Sequence, residues 1–587
     1  MKKAIALVVL LVCLISLPIF ANSQKYYAVS SKEWQMVNWL CHYAGVSGPT
    51  SNGPVQQAQL EVALQRAEAV VGTDNEVALY IRECLGKTSL VYEDDFGSFS
   101  LSGILFPEVY FQTGNPFGEK GEYQPKFALD QDWFVKDQKE RSTARVILEN
   151  SMGDFLYSRF ALDYKQKLST YYNDTFHTSL YGGTIHQNVP LGAGIALGLK
   201  GFSFITGRGK VSLGEGYTGN TAIGDNYEYQ EFLKFSFYTK RTAVSLTLTN
   251  FDSARNNEEE SKDIKEPWKV HSPRFSGYRE LRHAVTYELL PVDNFKASLS
   301  FVALIDTNTA FDFRYLNPFM VMHNYFNYHD PKPEIDSTLE ANNMITVDFS
   351  WTITKKWSMY AQITMDQFQI PGEAEGYLGF GYTEPNAFGG LLNVSYSDYV
   401  KDGLLNLYLE GVYNMPGMYL NTKYYDDDGN VTQFKEDTYS HCWSQDFLMG
   451  YYRTESDYSD VTYSTYKYGP DCFVLSFGGT YQKISGYEVD FSALYMAHGE
   501  KGRGSKAENY TFAGIDGLED VNRVALTGTL EHTLAMTLTG SFEVLSWLKV
   551  SVGGAYSYRW NYRNIEGSEF GNFQAYFGLE IVGDFDK

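Results

Sequence analysis

Phe573–Phe585 reads FQAYFGLEIVGDF, and the fold turns on how this stretch is read. One parity holds Phe573, Ala575, Phe577, Leu579, Ile581, Gly583 and Phe585. The other holds Gln574, Tyr576, Gly578, Glu580, Val582 and Asp584. Period-two alternation over about thirteen residues is long enough for a tilted strand to cross a bilayer, whereas soluble strands average nearer six. The stretch ends almost on an aromatic residue, with only Asp586 and Lys587 after Phe585, which suits the closing strand of an outer-membrane barrel. A barrel closed here must alternate at similar length throughout, because hydrocarbon tolerates no unpaired edge.

The rest of the chain meets that demand from Ser98 onward. The clearest strands are expected at 243–250, 282–290, 295–305, 344–354, 357–368, 404–414, 472–482, 487–497, 523–533, 534–545 and 548–560. In Met344–Thr354 the face Ile345, Val347, Phe349, Trp351, Ile353 is apolar, and Thr346, Asp348, Ser350, Thr352 is polar. That pattern puts lipid outside and a wet lumen inside. Connections alternate too: short ones at 291–294, 354–356, 485–486 and 546–547, long polar ones at 252–278, 323–342, 414–445 and 498–522. Short turns are expected at the periplasmic side and long loops at the surface. With weaker segments between 98 and 238, the expectation is an all-β transmembrane barrel of roughly 16–18 antiparallel strands.

Composition agrees. Tyr numbers 46, Phe 39 and Gly 52, and aromatics reach 16%. Barrels use such rings in girdles at both interfaces. Mean hydropathy is −0.30, and no second long apolar run follows the first, which excludes a helical membrane bundle. That first run, MKKAIALVVLLVCLISLPIFA at residues 1–21, has two lysines before its apolar core and small residues Ala21 and Ser23 at its end. It reads as a signal peptide, interrupted by Ser16 and Pro18 and so poor as an anchor. Net charge is −23, which argues against nucleic acid as a partner.

Residues 22–92 form a separate N-terminal helical segment, with 93–587 as the barrel. Ser30 and Glu33 make a capping-box pattern before Trp34, Val37, Cys41 and Ala44. Gly53-Pro54 opens a second helix ending at Gly72, and Thr73 with Glu76 opens a third ending at Gly86. Three short helices cannot hold a core alone, and need the barrel, a disulfide, or both. After signal cleavage four cysteines remain, and sequence proximity in an oxidising compartment suggests Cys41–Cys84 and Cys442–Cys472. Four unrelated thiols is the alternative.

No catalytic motif appears: G-x-S-x-G, H-E-x-x-H and C-x-x-C are absent, so neither an enzyme nor a cofactor is expected. GEGYTG at 214–219 has no βαβ context and reads as loop glycine. The acidic run at 424–436 places Tyr424 and Lys435 at calcium-ligand positions and fails as a calcium loop, so no metal site is assigned. One basic, aromatic patch stands out, with Trp268, Lys269, Arg274, Tyr278, Arg279, Arg282 and His283. Arginine forks bind carboxylates or phosphates bidentately, so Arg274, Arg279, Arg282, Trp268 and Tyr278 are candidate ligand-binding residues; a charged ladder along the barrel wall is the equal alternative.

Several segments occur in the order found in the capsule assembly Wzi family. They are WLCHYAGVSGPTSNGPVQQAQLEVAL at 39–64, FITGRGKVSLGEG at 204–216, ELRHAVTYELLPVDNFKASLSFVALI at 280–305, FDFRYLNPFMVMHNYF at 311–326, MYAQITMDQF at 359–368 and EPNAFGGLLNVSY at 384–396. The chain resembles that family through them. The resemblance implies an outer-membrane barrel of about eighteen strands whose helices plug the periplasmic mouth, and a lectin that tethers capsular polysaccharide. The expected partners are outer-membrane lipid, surface polysaccharide and the barrel-assembly machinery, with the protein a monomer. A porin or substrate-specific channel is the rival, and lumenal helices favour the tether. The first helix-loop-helix also faintly resembles a cell-wall-binding S-layer homology unit without its signature, Gln56, Gln57, Ala58 and Gln59 standing there.

Overall fold

The computed structural model describes residues 24–86, 92–93, 96–113, 142–166, 176–178, 183–185, 192–226, 230–252, 279–307, 313–319, 339–367, 387–419, 448–453, 458–484, 486–500 and 524–584. The expected signal peptide lies outside them. Consecutive strands pair antiparallel around a closed wall of 18 strands. The last strand, Glu569–Asp584, closes it against the first, which is kinked into Gly97–Leu105 and Glu108–Gln112. Gln574 meets Gln112, and Ile581 meets Leu105. The alternation read in the closing strand therefore holds across the seam.

Inward and outward faces follow the pleat. In Leu339–Thr354 the residues Thr346, Asp348, Ser350 and Thr352 are buried inside, while Phe349, Trp351 and Ile353 are exposed outside. Trp351, Trp357, Tyr487, Phe542 and Trp547 stand exposed beside the short turns, an aromatic belt at that mouth. The turns at 355–356, 401–402 and 546–547 are as short as their hairpins require, and Lys356, Lys401 and Asp402 take positive φ there. One boundary differs from the sequence reading. The expected strands 523–533 and 534–545 are one strand, Glu531–Leu545, and residues 524–530 are irregular. Their polar groups bond elsewhere: Asp471 accepts from the Thr527 amide at 3.0 Å, and Glu500 from the Thr529 amide at 2.7 Å.

Three helices sit at the short-turn mouth. Helix α1 is Lys32–Ala44, capped by Ser31, whose hydroxyl accepts from the Trp34 amide, and stopped at Gly45 in the left-handed conformation. Helix α2 is Gln57–Val71, opened by a Gln56–Gln59 capping box. Helix α3 is Glu76–Gly86, its first amides received by Asn75. Their common core of Trp34, Val37, Leu40, Leu60, Leu64 and Ile81 continues into Leu404 of the wall. The Trp39 indole donates to the Leu405 carbonyl at 2.8 Å, and Lys356 donates its amide to the His42 carbonyl at 2.9 Å.

The barrel, not a disulfide, supplies the missing core. The expected Cys41–Cys84 bridge is absent: Cys41 points from α1 to the Ala63 carbonyl of α2, 3.6 Å away, and Cys84 meets Tyr80 on its own helix. Burial pushes the Cys41 thiol up to about 12, so it stays protonated. Cys472 is likewise no part of a bridge and turns to the Gly469 carbonyl at 3.4 Å. Its expected partner Cys442 lies outside the described residues.

Candidate functional site in the occupied lumen

Two chain segments enter the lumen from opposite mouths and meet inside. From the helical side come residues 46–56. From the long-connection side comes the loop 210–226, between Phe202–Gly209 and Gln230–Tyr238. They join by backbone: Gly53 donates to the Ser212 carbonyl at 2.8 Å, and Gly214 to the Ser51 carbonyl at 3.1 Å. Asn52 bridges Leu213, which bridges Ile223. Farther up the chain, Tyr26 packs edge-on against Tyr157 and lies so close to Gly194 that a side chain there would collide with its hydroxyl. Glycine in the wall is what admits the N-terminal segment at that point.

Single charged residues at inward strand positions hold both segments. Lys234 donates to the carbonyls of Asn52 and Pro54. Lys296 donates to the Pro49 carbonyl and pairs with Glu215 of the lumenal loop at 2.9 Å, both side chains only 5% exposed. Glu410 accepts from the amides of Tyr217 and Thr218, each at 2.7 Å, and from the Thr218 hydroxyl. Gln362 accepts from the Thr221 amide at 2.7 Å and donates to Asp348, which also accepts from Ser298 and Tyr360. Each buried charge thus has a partner, as burial demands. Beside them the rings of Tyr217 and Tyr408 stack in parallel, centroids 3.8 Å apart, and Asn406 donates to the Tyr217 hydroxyl.

Over this loop pass residues 415–419 and 463–471. The Tyr419 hydroxyl donates to the Thr221 carbonyl at 2.8 Å, Gly224 donates to the Ser464 carbonyl, and Asn226 donates to the carbonyls of Tyr463 and Thr465. Burial raises Tyr419 and Tyr466 well above the usual phenol value, so both stay neutral donors.

The predicted ligand patch divides on this geometry. Arg282, one of the candidate ligand-binding residues, is 1% exposed inside the wall; its guanidinium donates to Gln230, to Thr249 and to the Ser464 carbonyl. It ties the wall to the lumenal contents. Arg279 begins the strand Arg279–Val292 at the long-connection mouth, with its backbone opposite Asp252 and Thr307. Trp268, Arg274 and Tyr278 lie outside the described residues. Sequence reasoning passed over Lys234, Lys296 and Glu410. The available signal was a lone charge at the polar parity of an otherwise apolar strand, as in EFLKFSF and LYLEGVY.

His42 makes this junction sensitive to acid. Its ring nitrogen lies 3.0 Å from the Ser358 hydroxyl, and burial, helped by Lys296, lowers it from 6.5 to about 3. The ring is neutral when docked and protonates more readily when released, so docking is strongest above pH 6.5 and weakens as pH falls toward 3. Amide exchange in α1, corrected for intrinsic rates, should therefore accelerate between pH 7 and pH 4, and His42→Gln should flatten that dependence. Equal acid sensitivity in the variant would assign it to the carboxylates.

Fold and contents define the class: an outer-membrane β-barrel with protein inside its lumen. No family model matches the sequence, and no curated protein does. Among solved structures the chain is similar to Wzi of Escherichia coli, described as an outer-membrane protein involved in group 1 capsule assembly and a carbohydrate-binding β-barrel. Identity is 12%, the match covers 96% of this chain and all of that one, and the TM-score is 0.53. The likeness to the Wzi fold is the one the motif order implied. DcaP of Acinetobacter baumannii, an outer-membrane channel, matches 84% of this chain at 9% identity with a TM-score of 0.36. OprD of Pseudomonas aeruginosa matches 83% at 8% identity, also with a TM-score of 0.36.

Proposed function

We propose that this protein is a non-enzymatic outer-membrane barrel that binds or organises surface polysaccharide, with its helices on the periplasmic side. The observation that carries the reading is the occupied lumen, in which segments from both mouths are cross-linked to the wall through Lys234, Lys296, Glu410 and Arg282. A substrate channel needs a path past such contacts, whereas a tether needs none. The carbohydrate-binding described for Wzi is consistent with this reading. Ligand contact is assigned to the long-connection mouth, where Arg279 stands and where Arg274, Trp268 and Tyr278 adjoin it in sequence.

Two measurements test it. Purified protein in planar bilayers should give no steady current; steady large steps would establish the channel. In cells, Arg274→Ala with Arg279→Ala should leave heat-modifiable barrel assembly intact and lower retention of surface polysaccharide. Loss of a charge-assisted contact costs about 1.5–3 kcal/mol, roughly ten- to a hundredfold in affinity. Retention equal to wild type would move the ligand site elsewhere.

A further inference from the structure

Most of the barrel's outer face is exposed apolar surface: Ile363, Leu392, Leu409, Phe477 and Leu538 all stand out from it. One sector departs from this. Leu246, Leu281, His283, Val285, Ala303 and Ile305 occupy outward positions on three adjacent strands and are nevertheless buried. Residues 313–319, a 3-10 turn at Phe313–Leu316 followed by Asn317, Pro318 and Phe319, pack over this sector. Tyr315 packs among the covered residues. The Tyr287 hydroxyl donates to the Pro318 carbonyl at 2.7 Å.

Three properties fit this turn to hydrocarbon. Part of its polar backbone is served locally: Asn317 donates to the Arg314 carbonyl at 3.1 Å, the Asn317 side chain accepts from the Phe319 amide at 3.0 Å, and Pro318 has no N–H. Its outer side presents Phe313, 83% exposed, and Phe319, 72% exposed. Toward the short turns the same strands continue as exposed apolar wall through Leu289, Val292 and Leu299. A water-facing loop has no use for two largely exposed phenyl rings above a sealed apolar sector.

We propose that residues 313–319 form a flap docked on the barrel's outer wall and immersed in the outer leaflet, where Phe313 and Phe319 enter the lipid acyl chains. The flap makes the connection after Phe295–Thr307 a membrane contact as well as a surface loop. This rests on the barrel spanning the bilayer and not on the polysaccharide reading.

The test places p-benzoylphenylalanine at Phe313 and, separately, at Phe319 in the full chain, reconstituted in phosphatidylcholine vesicles and irradiated. Leu409 on the exposed wall is the positive control and Ile565, in the turn before the closing strand, the negative one. Both flap positions should give lipid adducts by mass spectrometry in yields comparable with Leu409. Adducts to a second copy of the chain, or yields at both positions no higher than at Ile565, would overturn the proposal. Both side chains are mostly exposed, so assembly should survive, and heat-modifiable migration checks it. If either substitution blocks assembly, Phe319→Trp read by brominated-lipid quenching replaces it: quenching beyond the wild-type background supports the flap, and none overturns it.

Discussion

Glu215→Leu should release the lumenal loop from its wall contact, weakening docking by about 3–5 kcal/mol, because it strands the Lys296 ammonium in a buried site. The pair is 2.9 Å apart with both side chains 5% exposed, so solvent screens it little. Hydrogen exchange of the amides in 210–226 reads the effect, which should be about a hundredfold or more at that energy. Adding Lys296→Met should recover much of the loss, since an ion pair replaced as a unit leaves no buried charge, only the Pro49 carbonyl short of a donor. Exchange unchanged in the single variant would mean that Glu410 and Gln362 hold the loop without this pair.

Replacing residues 214–222 by Gly-Gly should convert a silent barrel into a conducting one. Leu213 and Ile223 already face one another as a bridged pair, so a two-residue link closes them as a hairpin without moving the wall. The deletion removes Glu215, Tyr217, Thr218 and Thr221, and with them the loop's bonds to Lys296, Glu410 and Gln362. Steady ion current in planar bilayers is the expected result. If the shortened protein stays silent, the helices and residues 46–56 alone obstruct the lumen. Current already present in the unmodified protein would remove the case for a tether.

The wall was legible in the sequence because lipid outside and water inside impose a strict two-residue period, and a one-residue slip would invert it. Hence Met344–Thr354 gave its faces directly. The helices were legible through caps, with Ser31 in the place expected of Ser30 and Gly45 ending α1. The lumenal loop was not legible, because GEGYTG forms no periodic element; its place follows from Glu215 and Thr218 meeting side chains that lie far apart in sequence. Arg282 misled for a related reason: a charge at the polar parity faces inward, and sequence does not say whether water or protein waits there. The cysteine pairing rested on proximity along the chain, whereas Cys41 is oriented by α2 and Cys84 by its own helix.

The last helix ends at Gly86, and the first wall strand begins at Gly97. So short a separation along the chain keeps α1–α3 at high local concentration beside their seat. A stopper held this way cannot be lost, only unseated. Weakening its grip, whether by acid at His42 or by substitution at Trp39, should therefore produce brief, reversible openings whose frequency tracks the lost affinity, rather than a permanently open pore.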